Sequence, residues 1–553
     1  MADSPTLHRI TSSALLNPDV VSEAKNTFVR LVSGESTKED LAVEGPGGAA
    51  NDEFTRRRST SPSGRGTSQL EQQPLAAGAS DRTPWIIVGL FLGYAYYNTL
   101  RGAFPIQMRR IAEELKIPVS KIGLPNSVFS AAYGLGKFFG SILTDYLPCA
   151  EFHTLGILLC GMDVAAVSLC RGIGSIAAAW SLQGALQALG WPFLSRVLLD
   201  KLPKEQCAKY WGVLSMAGNV GAMAAPYGTL ATTRLGMSWR STLRSFGASS
   251  AFVTLVVHAM LRRGGASKSS KAAVASMRTD DGSRAEKAQV EVKAAKATFR
   301  AAMLKILRSP AMWALFFCNS LSFGASKCTK EWGSMYLRGT GLAATEMQTA
   351  TLLFWAEIGG SLGAAFSGVV SASLGGRHAL TCTLSALLGL ASTSVLAVRS
   401  FAWRGRGGAP LSFGAACALQ ACSLAGINGV RTLAGLHLFE VARHHGLQLG
   451  PANGLAELIG QVGSVLSGLP VGAAVGRATS AATAAGFSDD RATRAGWAAV
   501  PGILTLACGG MSMVNLALLP SERSRLASSS KCERVERVDA TEDEEVTEKL
   551  KGA

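Results

Sequence analysis

Arg101 is the residue whose type and setting first suggest chemistry. It stands inside WIIVGLFLGYAYYNTLRGAFPIQM, residues 85–108, a stretch long and apolar enough to cross a ~30 Å hydrocarbon layer as a helix rising about 1.5 Å per residue. A guanidinium in hydrocarbon costs at least ~2.5 kcal/mol, so the charge is expected to face a protein interior, a water-filled cavity or an anion. Position alone leaves an equal alternative open, in which Arg101 lies near the end of the span and snorkels to the interface. Other ionisable residues share the problem of standing in apolar runs. Arg196 follows Gly190-Trp191-Pro192, and Arg431 follows Gly426-Ile427-Asn428-Gly429. Glu357, Glu440 and Glu457 are acids in such runs, which makes them candidates for carrying protons or pairing with cations, and Glu457 with Arg431 is the expected internal pair.

The elements that must position these residues are membrane helices. The chain has 553 residues, 48% of them hydrophobic and only 17% charged, with 61 glycines, a composition too apolar and glycine-rich for an ordinary soluble multidomain protein. A net charge of +16 invites a nucleic-acid reading. The basic residues, however, concentrate in loops and tails between apolar runs and are not interleaved with aromatics on one face, so no nucleic-acid partner is expected. The 11 cysteines are scattered, largely in apolar segments, without CxxC or His/Cys ligand spacing. They read as packing residues, and neither metal nor cofactor is expected. No P-loop, no Ser-His-Asp arrangement and no histidine ligand spacing is present, so the chain does not read as an enzyme.

In chain order, residues 1–83 are polar, rich in Ser, Gly and charge, and read as a disordered arm with no secretory signal. Six apolar runs fill 84–261. A linker, 262–308, carries twelve Lys/Arg against four Asp/Glu. Six more runs fill 309–518, and the charged residues 519–553 read as a disordered tail. Six runs, a basic loop and six runs put both ends and the linker on one side, which the positive-inside rule makes cytosolic. Arg399, Arg404 and Arg406 fall on the opposite face, so the shorter loops discriminate poorly. The two halves echo one another: Gly218-Asn219-Val220-Gly221 precedes Pro226 in the fifth run, and Gly460-Gln461-Val462-Gly463 precedes Pro470 in the eleventh. Such duplication is the architecture of alternating-access carriers, in which substrate binds between halves near the midplane. The expected fold is therefore an all-α polytopic membrane protein, with twelve transmembrane helices in two pseudo-symmetric six-helix bundles.

With these residues in place, the chain resembles the organophosphate:phosphate antiporter family of the major facilitator superfamily, in particular its glucose-6-phosphate translocase branch. The resemblance covers most of 85–518. It rests on Gly93-Tyr94 with Arg101, Ala132-Tyr133 with Lys137-Phe138 and Asp145, and Gln187 with Gly190-Trp191-Pro192. Further along it rests on Trp211 with Asn219, Trp239-Arg240-Ser241-Thr242-Leu243, Phe323-Gly324 with Glu331-Trp332-Gly333, and Gly468-Leu469-Pro470. The resemblance implies that Arg101 binds phosphate, offering a planar fork of donors to two of its oxygens. Lys137 would add a second charge, with an interfacial lysine near Asp145 as the alternative. Tyr94, Tyr97, Gln187 and Asn219 would supply neutral contacts, although tyrosines at helical spacing also serve as packing. Glu357 and Glu440 match acidic family positions and read mainly as partners for nearby basic groups.

Departures from the family pattern are specific. Where the family carries a second basic residue, six positions before the tryptophan of the seventh span, this chain has Ser326. Lys327 follows directly and Lys330 lies a turn further, while Arg431 offers a compensating cation. The superfamily's charged loop motif is reduced to Ser141 and Asp145 in its first copy. The second copy keeps Gly368 and Arg377 but has Ala372 in place of an acid, so a weakened cytosolic latch is expected, with Asp145, Arg196, Glu357, Glu440 and Glu457 as gating or charge-pair candidates. The ending Lys549-Leu550-Lys551-Gly552-Ala553 fits a dilysine endoplasmic-reticulum signal, with a plastid envelope as the alternative. The resulting expectation is a carrier exchanging a sugar phosphate, similar to glucose 6-phosphate, or a related organophosphate for inorganic phosphate. Its rivals are a proton-coupled carrier of another small organic anion and a non-transporting membrane sensor or scaffold of the same fold.

Overall fold

The structure, a computed structural model, describes residues 82–144, 147–202, 204–266, 303–402, 411–445, 447 and 449–551. The helices are α1 (Thr83–Glu114), α2 (Val119–Ile122), α3 (Leu124–Leu143), α4 (Cys149–Val167), α5 (Ile173–Gln187), α6 (Gly190–Lys201), α7 (Lys204–Arg234) and α8 (Trp239–Arg263) in the first half. In the second they are α9 (Pro310–Gly339), α10 (Glu346–Ser373), α11 (His378–Ala402), α12 (Phe413–His444), α13 (Leu449–Leu466), α14 (Leu469–Ala484), α15 (Asp489–Trp497) and α16 (Ala499–Lys551). Taken with their breaks, they fall in order on the twelve expected apolar runs: α5 and α6 make the fourth rod, α13 and α14 the eleventh, α15 and α16 the twelfth. The fourth and eleventh rods break beside Gly190-Trp191-Pro192 and Gly468-Leu469-Pro470, where proline withholds an N–H and restarts the helix.

Among the described residues, seven rods, the third, sixth and eighth to twelfth, are long and apolar enough to cross a membrane by length and composition alone. Of the others, the first, second, fifth and seventh bring Arg101, Lys137, Asn219 and Lys327 to the cavity described below, and the fourth is divided into two shorter helices. Helices of this kind are stable in a bilayer because every backbone bond is closed within the helix.

The two halves repeat their packing. In the first, α3 lies on α5 and α4 on α8; in the second, α10 lies on α12 and α11 on α16, the same rod pairings six rods later. The glycine repeat does equivalent work in both. A Cβ at Gly221 would meet the Ala95 carbonyl of the first rod, and one at Gly463 the Ser320 carbonyl of the seventh. Small residues let these backbones approach closely.

The halves meet toward the ends of the rods away from the linker. Ser127 Oγ donates to the Val465 carbonyl at 2.6 Å and accepts from Leu469 N–H at 2.8 Å. Ser334 Oγ donates to the Pro105 carbonyl at 3.2 Å, and Tyr227 packs edge-on against Phe354 at 5.6 Å. One expectation is corrected. The tail from 519 onward is helical through Lys551, because residues 521–551 lack Gly and Pro and are rich in Glu, Arg and Lys. The arm, Asp145 and most of the linker lie outside the described residues.

Candidate functional site

A cavity of about 430 Å³ lies between the halves, on the linker side of that seal. Five cations line it, Arg101, Lys137, Lys327, Lys330 and Arg431, with three carboxylates, Glu331, Glu357 and Glu457. The volume suits a small organic ligand.

Arg101 comes from the middle of α1 and turns inward. Its Nε donates to Gln187 Oε1 at 2.7 Å, and its guanidinium lies over the rings of Tyr133 and Phe129 at 4.5 and 5.6 Å. The snorkelling alternative is thereby removed. Arg431, from α12 in the other half, rests its guanidinium over Phe323 at 4.3 Å. Stacking on aromatic faces holds each cation without neutralising it.

The lysines are paired. Lys137 meets Glu457 across the halves at 3.1 Å, Lys327 meets Glu331 one turn along α9 at 2.8 Å, and Lys330 meets Glu357 of α10 at 2.9 Å. Among the described residues, Arg101 and Arg431 make no ion pair. Tyr94 lines the cavity and packs on Trp191 at 5.1 Å; Asn219 and Ser326 line it too. Ser326 donates to Asn428 Oδ1 at 3.1 Å.

Three site expectations are corrected. Glu457 pairs with Lys137 and not with Arg431, because its place on α13 faces α3 across the cavity. Tyr97 does not reach the cavity: it is buried and donates to the His153 carbonyl at 3.0 Å, since three residues past Tyr94 the helix face has turned toward α4. Gln187 is also buried behind the wall and acts on Arg101, with its Nε2 donating to the Tyr97 carbonyl at 2.7 Å. Arg196 is exposed and pairs with Asp200 of its own helix at 3.2 Å. Glu440 pairs with a basic group, His378 at 3.0 Å, and that pair lies at the linker-side end of α12. Glu331 and the aromatic support Tyr133 stood in quoted motifs without an assigned role, and Phe129, the second aromatic under Arg101, was not singled out. For Glu331 the i,i+4 spacing to Lys327 was a readable signal.

Residues 86–468 match the family described as Major Facilitator Superfamily. The chain belongs to the Major Facilitator Superfamily. The chain is an integral membrane protein of that fold. It is 26% identical to the Membrane sensor protein UhpC of Escherichia coli (strain K12) over 51% of this chain and 63% of that protein. It is 25% identical to UhpC of Salmonella typhimurium over 70% and 84%, and 26% identical to a Probable hexose phosphate transport protein of Chlamydia pneumoniae over 26% and 31%. The chain thus spans less than two thirds of the length of several of these relatives. Among solved structures, a bacterial homolog of the human lysosomal transporter Spinster superposes with a TM-score of 0.58 at 13% identity, covering 80% of this chain and 98% of that one. The nucleoside transporter NupG does so at 0.56 and 12%, covering 77% and 98%.

Proposed function

We propose that the chain is an alternating-access carrier of a sugar phosphate, of the kind represented by glucose 6-phosphate, exchanged for inorganic phosphate. The observation that carries this reading is the charge arrangement of the cavity. Three lysines are matched by three carboxylates, while two arginines, one from each half, have aromatic supports and, among the described residues, no ion pair. The surplus of two positive charges suits one phosphate dianion, whose second proton leaves near pH ~6. Guanidinium forks are the side chains best shaped for its oxygens. Drawing a charge from each half gives the ligand a reason to favour approach of the halves, which is what a carrier requires of its substrate. Relatives named for hexose phosphate and glycerol-3-phosphate transport support the substrate class.

Two relatives are named as membrane sensors, which favours one second reading: binding of a phosphorylated sugar without transport. Vesicles containing the purified protein and preloaded with labelled phosphate separate the two. A carrier releases label when glucose 6-phosphate or another sugar phosphate is added outside. Binding without release of label would establish the sensor, and neither binding nor release with any sugar phosphate would reject both readings.

A further inference from the structure

Asp163 lies one turn before the end of α4, is 7% exposed, and makes no ion pair among the described residues. The cavity does not include it. A carboxylate so placed in a membrane helix calls for a partner, and one is supplied at a distance. With the Gln183 amide oriented to satisfy its neighbours, its nitrogen donates to the Cys160 carbonyl and to Asp163 Oδ2, both at 3.1 Å, and its oxygen accepts from Gln187 Nε2 at 3.2 Å. The second Gln187 hydrogen goes to the Tyr97 carbonyl at 2.7 Å, and Gln187 Oε1 accepts from Arg101 Nε at 2.7 Å. All four amide hydrogens are used, so the chain of bonds has one direction. It donates from the arginine, through two buried glutamines, to the carboxylate. Cation and anion stand at the ends where the aligned amides favour them.

We propose that Asp163 is the buried counter-charge of Arg101, a positioning residue acting through Gln183 and Gln187, so that anion binding at Arg101 and protonation of Asp163 favour each other. This rests on the phosphate-carrier reading and adds a proton site to it. The ionised carboxylate draws on the arginine's charge and the neutral acid leaves that charge to the ligand. By reciprocity the ligand promotes proton uptake. The surroundings leave few competitors. α5 has no ionisable side chain, Cys160 is the near titratable group on α4, Arg244 of α8 is exposed, Arg240 is held by Glu114 at 3.2 Å, and Arg196 of α6 is held by Asp200.

The test is equilibrium binding of labelled inorganic phosphate to the purified full chain and to Asp163→Asn, from about pH 5 to about pH 9. Phosphate ionises identically in both samples, so the affinity ratio isolates the protein's contribution. Asp163→Asn is expected to bind on the order of tenfold tighter at the alkaline end, as for unit charges three hydrogen bonds apart at an effective dielectric constant of about 20, with the two proteins converging at the acid end. A ratio that stays constant with pH, or weaker binding by the variant throughout, overturns the proposal while leaving the carrier reading intact. Absence of phosphate binding by the unaltered protein at every pH overturns both. Should Asp163→Asn not accumulate, Asp163→Ser removes the same charge and is expected to abolish the pH dependence that the unaltered protein shows beyond that of phosphate itself. Retention of that dependence overturns the proposal.

Discussion

Lys137 of the second rod and Glu457 of the eleventh meet at 3.1 Å, joining the halves at the cavity wall and not within the seal. Their side chains are 29% and 45% exposed, so the pair is hydrated from the cavity and contributes ~0–1 kcal/mol to stability. A pair this weak is separable by a ligand. Exchanging the two charges, Lys137→Glu with Glu457→Lys, is expected to shift the melting temperature by no more than a few degrees and to lower phosphate exchange by at least tenfold. Melting and vesicle efflux measured on one preparation check both.

The Lys327–Glu331 pair behaves differently because it is buried, with side-chain exposures of 16% and 6%. Removing one member of a buried pair leaves an uncompensated charge and costs ~3–5 kcal/mol, whereas removing both costs far less. Lys327→Met is therefore expected to melt well below the unaltered protein, and Lys327→Met with Glu331→Gln to recover most of the loss. A thermal-melting double-mutant cycle measures it.

Glu522 of α16 is buried and accepts from the Ala379 and Leu380 N–H groups at 2.6 and 3.4 Å, capping α11 from another rod. These N–H groups have no partner within their own helix. Glu522→Ala is expected to cost ~1–2 kcal/mol, read as lowered melting and faster proteolysis at the linker-side end of the second half.

Gly221 and Gly463 face the carbonyls of Ala95 and Ser320, the same contact in the two halves. Alanine at either site forces the rods apart, and each variant is expected to lower the folded yield by a similar amount. A loss confined to one half, measured by detergent-extracted yield, would show that the repeat is not mechanically equivalent.

The rods were legible because apolar length and charge distribution fix where a chain can cross a bilayer. The breaks at Gly190 and Gly468 were marked by the same Gly-Trp-Pro and Gly-Leu-Pro triplets that carried the family resemblance. Arg101, Lys137 and Lys327 could be singled out, since a cation in an apolar run has few places to go. Their partners could not. Which carboxylate meets which cation depends on the rotation of each helix about its axis, and a fraction of a turn decides whether Glu457 reaches Lys137 or Arg431. The same rotation turned Tyr97 and Gln187 behind the cavity wall while leaving Tyr94 on it. Asp163 went unnoticed because its connection to the site runs through two uncharged amides on another rod.

The most direct measurement of the central claim is phosphate exchange by Arg101→Lys in phosphate-loaded vesicles. An ammonium keeps the charge but cannot present a bidentate fork or stack on Tyr133. Exchange is expected to fall by ~100-fold or more with normal folding and melting; near-normal exchange by the lysine variant would contradict the assignment of Arg101 as the phosphate-binding group.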